Sequence, residues 1–273
     1  MTILLLFYTC MTSCQPEILI ENTDLSLTQV AEKGSISFGY DIFAPFAYRD
    51  SENMLTGFDI DVMTEIAARL CLKLKPVKIN WLEKEKKLTA DEVDMIMGGV
   101  SSNENSAATY CFSTPYMSNR QMVVVPKISP VSNGDQLDGA RVGIRANSSI
   151  AAADKAKALD ITFAKITSET TVKDLFNNLD NNQIDAIILD VFAIDYYFEN
   201  GGNRDNYKIL PDPLFEEQYV MGFNVNDVAL MKKMETVMYD MVVDGKLEEL
   251  SKKWFKSNLI TLEEKDSEYD LMD

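Results

Sequence analysis

Gly57-Phe58-Asp59-Ile60-Asp61-Val62-Met63-Thr64-Glu65-Ile66-Ala67-Ala68-Arg69-Leu70 carries apolar residues at 60, 63, 66, 67 and 70. That spacing lays one apolar stripe along a helix, predicted over residues 59–72. Around it the period shortens. Ser35-Ile36-Ser37-Phe38-Gly39-Tyr40 reads as a strand before the helix, and residues 74–79 and 93–97 read as strands after it. Further apolar strands are predicted at 121–126, 141–144, 161–166, 184–189 and 219–225. Helical patterns fall at 83–88, 148–159, 172–179, 192–198, 227–243 and 247–255. Strands alternating with helices predict an α/β chain with largely parallel sheets.

Two of these strands echo each other. Glu92-Val93-Asp94-Met95-Ile96-Met97 is similar to Gln183-Ile184-Asp185-Ala186-Ile187-Ile188, each an apolar run introduced by a polar residue and an Asp. Open α/β sheets bind ligands outside the carboxyl ends of their strands. The first strand delivers Gly98, Gly99 and Ser101 to that edge, and the second delivers Asp190. Two similar lobes facing one crevice is the simplest architecture for this arrangement.

Charge narrows the choice of ligand. The 273 residues hold 26 Lys plus Arg against 43 Asp plus Glu, a formal net charge of −17. A field of that sign repels phosphate backbones and anionic lipid heads, which argues against nucleic-acid and membrane-surface binding. The chain has no His. That removes Ser–His and Cys–His dyads and most zinc sites, and no cofactor or metal is implied.

The first residues read as an address. Residues 3–11 form an apolar run too short to span a bilayer, which needs about 20 apolar residues. It ends in Met11-Thr12-Ser13-Cys14, which resembles a bacterial lipobox; Cys14 would then become the lipidated first residue, with Cys10 a weaker second position. No Lys or Arg precedes the run, so the true start is expected upstream of this Met1. Residues 15–33 are polar and read as a tether; a buried N-terminal strand is the ranked-lower alternative. Cys71 and Cys111 are read as two separate buried residues rather than a bridge. The tail, 257–273, is acidic and is expected to be mobile.

The 57–70 stretch resembles the signature of family 3 extracellular solute-binding proteins, the polar-amino-acid-binding components of bacterial ABC importers. Other segments agree in order and spacing: Ala44-Pro45-Phe46, Trp81, residues 93–101, Phe112-Ser113-Thr114-Pro115-Tyr116, Val142-Gly143-Ile144 followed by Ser148-Ser149, and Asp244-Gly245 to Trp254-Phe255. The resemblance implies a two-lobed periplasmic-binding-protein type II fold whose lobes are joined by two crossing strands. Lobe one would comprise 34–122 plus 221–256, and lobe two 123–220, with crossings at Val123-Val124-Val125 and Gln218-Tyr219-Val220.

The resemblance also implies a ligand site. Asp190 takes the position that holds the ligand ammonium; its alternative is to cap the following helix. Phe43 and Trp81 stand where aromatics sandwich the ligand side chain, against ordinary core packing. Gly99, Ser101, Ser148 and Ser149 would complete a polar ring, the serines opening a helix whose N–H groups suit a carboxylate. Where the family usually carries a carboxylate-gripping Arg, this chain has Ser106. Arg145, on the turn after Ile144, is the visible replacement, weighed equally against a solvated surface Arg.

The function this implies is an extracytoplasmic lipoprotein, periplasmic or at the cell surface and anchored through Cys14. It would capture an amino acid or a small amine by hinge closure and deliver it, as a monomer, to an ABC transporter permease. Two alternatives stand beside it. One is a cyclohexadienyl-dehydratase-like enzyme on the same scaffold, with Glu217 as its acidic residue; the other is an orphan ligand sensor.

Overall fold

The computed structural model describes residues 24–102, 109–146 and 156–263. Along the chain run α1 (Ser26–Lys33), β1 (Ser35–Tyr40), β2 (Tyr48–Arg49), β3 (Leu55–Thr56), α2 (Phe58–Arg69), β4 (Lys73–Lys78) and α3 (Lys84–Thr89). Then come β5 (Met95–Ile96), β6 (Tyr110–Phe112), β7 (Met117–Pro126), β8 (Arg141–Arg145), β9 (Lys165–Glu169), α4 (Val172–Asp180), β10 (Ala186–Asp190) and α5 (Val191–Glu199). The last elements are β11 (Tyr207–Ile209), β12 (Phe215–Tyr219), β13 (Gly222–Asn224), α6 (Val228–Val243) and α7 (Lys246–Phe255).

The strands sort into two main sheets. The first has the order β4-β1-β5-β13-β6, and the second the order β11-β7-β10-β8-β9 with β12 paired to β7. In each, the central strands are parallel: β1 with β4 and β5, and β10 with β8. Every residue of β10 is buried, the continuous apolar reading expected of a strand covered on both faces. The structure is thus the mixed α/β, two-lobed fold of type II periplasmic binding proteins.

The motif around residue 57 has a structural cause. Gly57 has φ +137°, and a Cβ there would lie 2.1 Å from the Phe46 carbonyl oxygen. Only glycine fits so close to that backbone. The approach lets the start of α2 bond to the preceding loop: Phe58 N–H donates to Pro45 O and Asp59 N–H to Phe46 O. Two of the donors that a helix start leaves open are met this way. The Pro-Phe loop and the Gly-Phe-Asp turn are therefore one unit, which fixes Phe43 and Phe46 beside the cleft.

The passage between lobes runs through β7 and β12. Met117–Gln121 pairs antiparallel with Phe215–Tyr219, while Ser113 N–H and Tyr116 N–H donate to Met221 O and Tyr219 O. The first passage thus lies earlier in the chain than the expected Val123-Val124-Val125. Those valines are interior to the second sheet, paired with β10 and β11, because an uninterrupted β-branched run is best buried on both faces.

Three other expectations differ from the structure. Ser26–Lys33, read as part of a polar tether, is a helix docked through Val30 and Leu27. Its approach also holds the start of α6, where Asp24 and Ser26 side chains accept from Ala229 N–H and Leu230 N–H. The strand placed at 161–166 is instead β9, Lys165–Glu169; Ile161 is buried in the second core from a loop position. Cys71 is exposed, not buried, and both it and Cys111 are free thiols. Cys14, Ser106, Ser148 and Ser149 lie outside the described residues. Among the described residues no helix is long and apolar enough to cross a membrane.

Candidate functional site

A cleft of about 530 Å³ opens between the lobes. Asp41, Ile42, Lys78 and Asn80 line it from the first lobe, and Arg145, Thr170 and Thr171 from the second. Its walls therefore carry both signs of charge, which suits a small zwitterion better than an apolar solute.

Arg145 ends β8. It is only 9% exposed, and its guanidinium lies over the Phe43 ring with Cζ 3.9 Å from the ring centroid. That is a cation–π contact across the cleft, between a second-lobe strand and a first-lobe loop. The solvated-surface alternative for Arg145 does not describe this side chain. Phe43 in turn stacks on Phe46, with centroids 5.0 Å apart.

Gly98 and Gly99 separate Phe43 from Trp81. Gly99 has φ +82°, and a Cβ there would come within 3.1 Å of Phe43 Cε1; a Cβ at Gly98 would meet Trp81 Cη2 at 4.0 Å. Trp81 opens a short 3-10 turn capped by Asn80, whose side chain accepts from Leu82 N–H. It packs among Ile79, Leu88 and Val93 in a core cluster distinct from that of Phe43. The two aromatics flank the glycine turn, and the face of Phe43 is occupied by Arg145.

Beyond the turn, the chain runs beside the second crossing. Val220 N–H donates to Val100 O, and Ser102 N–H to Gln218 O. This seats Ser101 opposite Tyr219 and brings the Ser101 hydroxyl to Glu217.

Asp190 closes β10 and is 5% exposed. It occupies the N-cap position of α5, yet its side chain makes no cap bond. The carboxylate turns the other way. Asn119 Nδ2 donates to its Oδ1 at 2.8 Å, Gln121 Nε2 at 3.0 Å, and the Tyr219 hydroxyl donates to the same oxygen. Asn119 and Gln121 also donate to Glu217 Oε1, at 2.6 Å and 2.8 Å. Burial, and then the neighbouring Asp190 charge, push the Glu217 carboxyl above its usual range. The Tyr219 phenol is raised well above its ordinary value, by burial first and by both carboxylates next.

The structure thus brings Phe43, Gly99, Ser101, Arg145 and Asp190 around one seam and sets Trp81 behind the glycine turn. Asn119, Gln121 and Tyr219 were missed at the sequence level, as were Asp41, Thr170 and Thr171. Alternation in Ser118-Asn119-Arg120-Gln121 was the available signal, since period two puts both amides on one face.

Comparison with known proteins agrees with this fold. A family model described as bacterial extracellular solute-binding proteins, family 3, matches residues 36–257. The arginine-binding extracellular protein ArtP of Bacillus subtilis is 24% identical over 214 residues, covering 78% of this chain and 82% of that protein. A solved structure of Tv2483 bound to L-arginine superposes with TM-score 0.79 at 29% identity, covering 87% of this chain and 97% of that one. An ABC uptake transporter substrate-binding protein from Streptococcus pneumoniae with bound histidine gives TM-score 0.80 at 27% identity, covering 88% and 99%. The chain belongs to family 3 of the bacterial extracellular solute-binding proteins.

Proposed function

We propose that the protein captures an amino acid between its lobes and delivers it to an ABC importer. The observation that carries this reading is Asp190. A buried carboxylate at the end of an apolar strand is costly unless something positive meets it, and this one leaves its helix uncapped to face the crossing strands. Its ligand partner is the α-ammonium. Arg145 meets the α-carboxylate, held flat by the Phe43 ring so that its fork is set in advance. Asp41 and Lys78, at the cleft wall, discriminate among side chains. Relatives named for arginine and histidine support ligands of this class. Closure about the β7–β12 ladder completes the enclosure, and the closed form is what the permease recognises. Anchoring through a lipid on Cys14 places the protein at the outer face of a bacterial membrane.

Thermal unfolding of the full chain with L-arginine, L-histidine, L-cystine, other amino acids, polyamines and small carboxylates tests the reading. A true ligand at a hundredfold excess over its Kd stabilises by about 2.7 kcal/mol. A flat response across every amino acid would overturn it. One observation favours a second reading, an enzyme of the cyclohexadienyl-dehydratase kind: Glu217 is a half-buried carboxyl held towards its protonated form, as a general acid would be. Turnover of prephenate or arogenate that disappears in Glu217→Gln would establish it.

A further inference from the structure

Glu217 lies one hydrogen-bonding amide away from the proposed ammonium anchor, on a different element. Asp190 ends β10, and Glu217 sits in β12. Asn119 and Gln121, on β7, each place one NH2 between the two carboxyls. An amide nitrogen carries two hydrogens, so each amide serves both acids at once. The arrangement leaves Asn119 Oδ1 buried with no partner among the described residues. Three donors from the described residues, Asn119, Gln121 and Tyr219, converge on the one side-chain oxygen Asp190 Oδ1.

The groups facing the pair come from four places. β7 presents Asn119 and Gln121. β12 presents Tyr219 beside Glu217 itself, β10 presents Asp190, and the loop after β5 presents the Ser101 hydroxyl. Arg120 and Glu216 are directly paired across the ladder on its opposite face. Two carboxyls bridged by the same two amides, one buried and one half-buried, cannot both carry full charge cheaply.

We propose that Asp190 and Glu217 act as one unit that shares a proton in the ligand-free protein and releases it when an ammonium group binds. The step balances: a singly protonated pair takes up R–NH3⁺ and gives H⁺ to solvent, leaving two carboxylates with the cation on Asp190. Burial and the Asp190 charge holding the Glu217 carboxyl up agree with this. The proposal rests on the reading of Asp190 as the amine anchor. Glu217 need not touch the ligand; it acts through the shared amides as a positioning and charge-setting residue. Two consequences follow by linkage. Affinity for a cationic amine rises with pH, by up to about tenfold per pH unit while the pair holds its proton. A neutral isostere of the ligand, lacking the ammonium, gains nothing from higher pH.

The test has two arms on the full chain. In the ligand-free protein at pH 7, infrared difference spectra between wild type and Glu217→Gln should show a protonated-carboxyl band present only in the wild type. Asp190→Asn, the second variant should the first fold poorly, should shift or remove the same band. Absence of that band from both comparisons overturns the shared proton, whatever the protein binds. In the second arm, L-arginine is titrated calorimetrically in phosphate and in Tris at pH 7. Apparent enthalpies that differ by the buffers' ionisation heats, a difference lost in Glu217→Gln, support proton release. Equal heats in both buffers overturn the coupling and leave the binding role standing. Should arginine, histidine and cystine all give no heat, the amino-acid reading fails, and the infrared band alone still decides whether the proton is shared.

Discussion

Asp59 and Asp190 are both buried aspartates at a junction between strand or loop and helix, 0% and 5% exposed. Their surroundings differ. Asp190 collects three donors on one oxygen and sits beside a second acid. Asp59, in the first turn of α2, has no hydrogen-bond partner on either oxygen among the described residues. Desolvation alone raises it, from 3.8 to about 8. The contrast shows two ways for a fold to hold an acid away from water. Asp59 is held by keeping its proton. Asp190 is held by three donors on one oxygen, beside a second acid that accepts from two of them.

The largest expected effect tests the Asp59 side of this contrast. Its folded pKa lies above its unfolded one, so the stability it allows is full below about pH 4. That stability falls as pH rises towards about 8, where the buried carboxyl must ionise. Asp59→Asn, which cannot ionise, should flatten this slope. Urea unfolding at pH 5 and pH 9 should show the wild type losing several kcal/mol more than the variant, at roughly 1.4 kcal/mol for each pH unit between the unfolded and folded pKa. Equal slopes would mean that Asp59 ionises freely, with a partner or water supplied to it. The Tyr116 hydroxyl, buried, unpartnered among the described residues and sensitive to the Asp59 charge, is the neighbour such a water would serve.

Asp190 should behave oppositely. Asp190→Asn keeps shape and removes charge. Affinity for an amine-bearing ligand should fall ten- to a hundredfold, about 1.5–3 kcal/mol, with little change in ligand-free stability. Unchanged affinity in isothermal titration would return Asp190 to a purely structural role.

Arg145 gives a smaller and more selective effect. Arg145→Ala removes the cation over Phe43. It should weaken a carboxylate ligand about tenfold more than its amide or decarboxylated analogue. Equal weakening of all three would assign Arg145 to cross-cleft packing on Phe43 and leave the carboxylate to other donors.

Much of the fold was legible because its signals are local. The α2 stripe and the β1 and β10 apolar runs each declare themselves within a few residues. What was not legible depends on distant chain. The predicted strand at 219–225 is two strands, because Tyr219 pairs with Met117 in the second sheet and Gly222 with Ile96 and Phe112 in the first. No local pattern marks a strand that changes sheets. α1 escaped notice because only a few of its side chains dock, and its anchoring partners lie some 200 residues away, in α6. In the site, Asp190 was found from its place at a strand end. Asn119 and Gln121 were not: alternation puts both amides on one face of the strand, but the acids that this face meets come from distant chain.

The smallest effect separates capping from ligand duty directly. Two second-lobe helices begin at residues suited to capping. Thr171, before α4, accepts from Asp174 N–H at 3.1 Å and so meets one of the helix's open donors. Asp190, before α5, offers α5 no such bond. Losing a real cap costs about 1 kcal/mol, so Thr171→Ala should lower stability by that amount in ligand-free protein. Asp190→Asn should cost less than that, because no cap bond is lost and the donors on Oδ1 still find an oxygen. Thr171 also lines the cleft, so the comparison is made on unfolding without ligand, where its cleft position has no weight. An Asp190→Asn cost equal to or above that of Thr171→Ala would show that the buried network at Asp190 holds the two lobes' crossing together. The amine subsite would then double as part of the hinge.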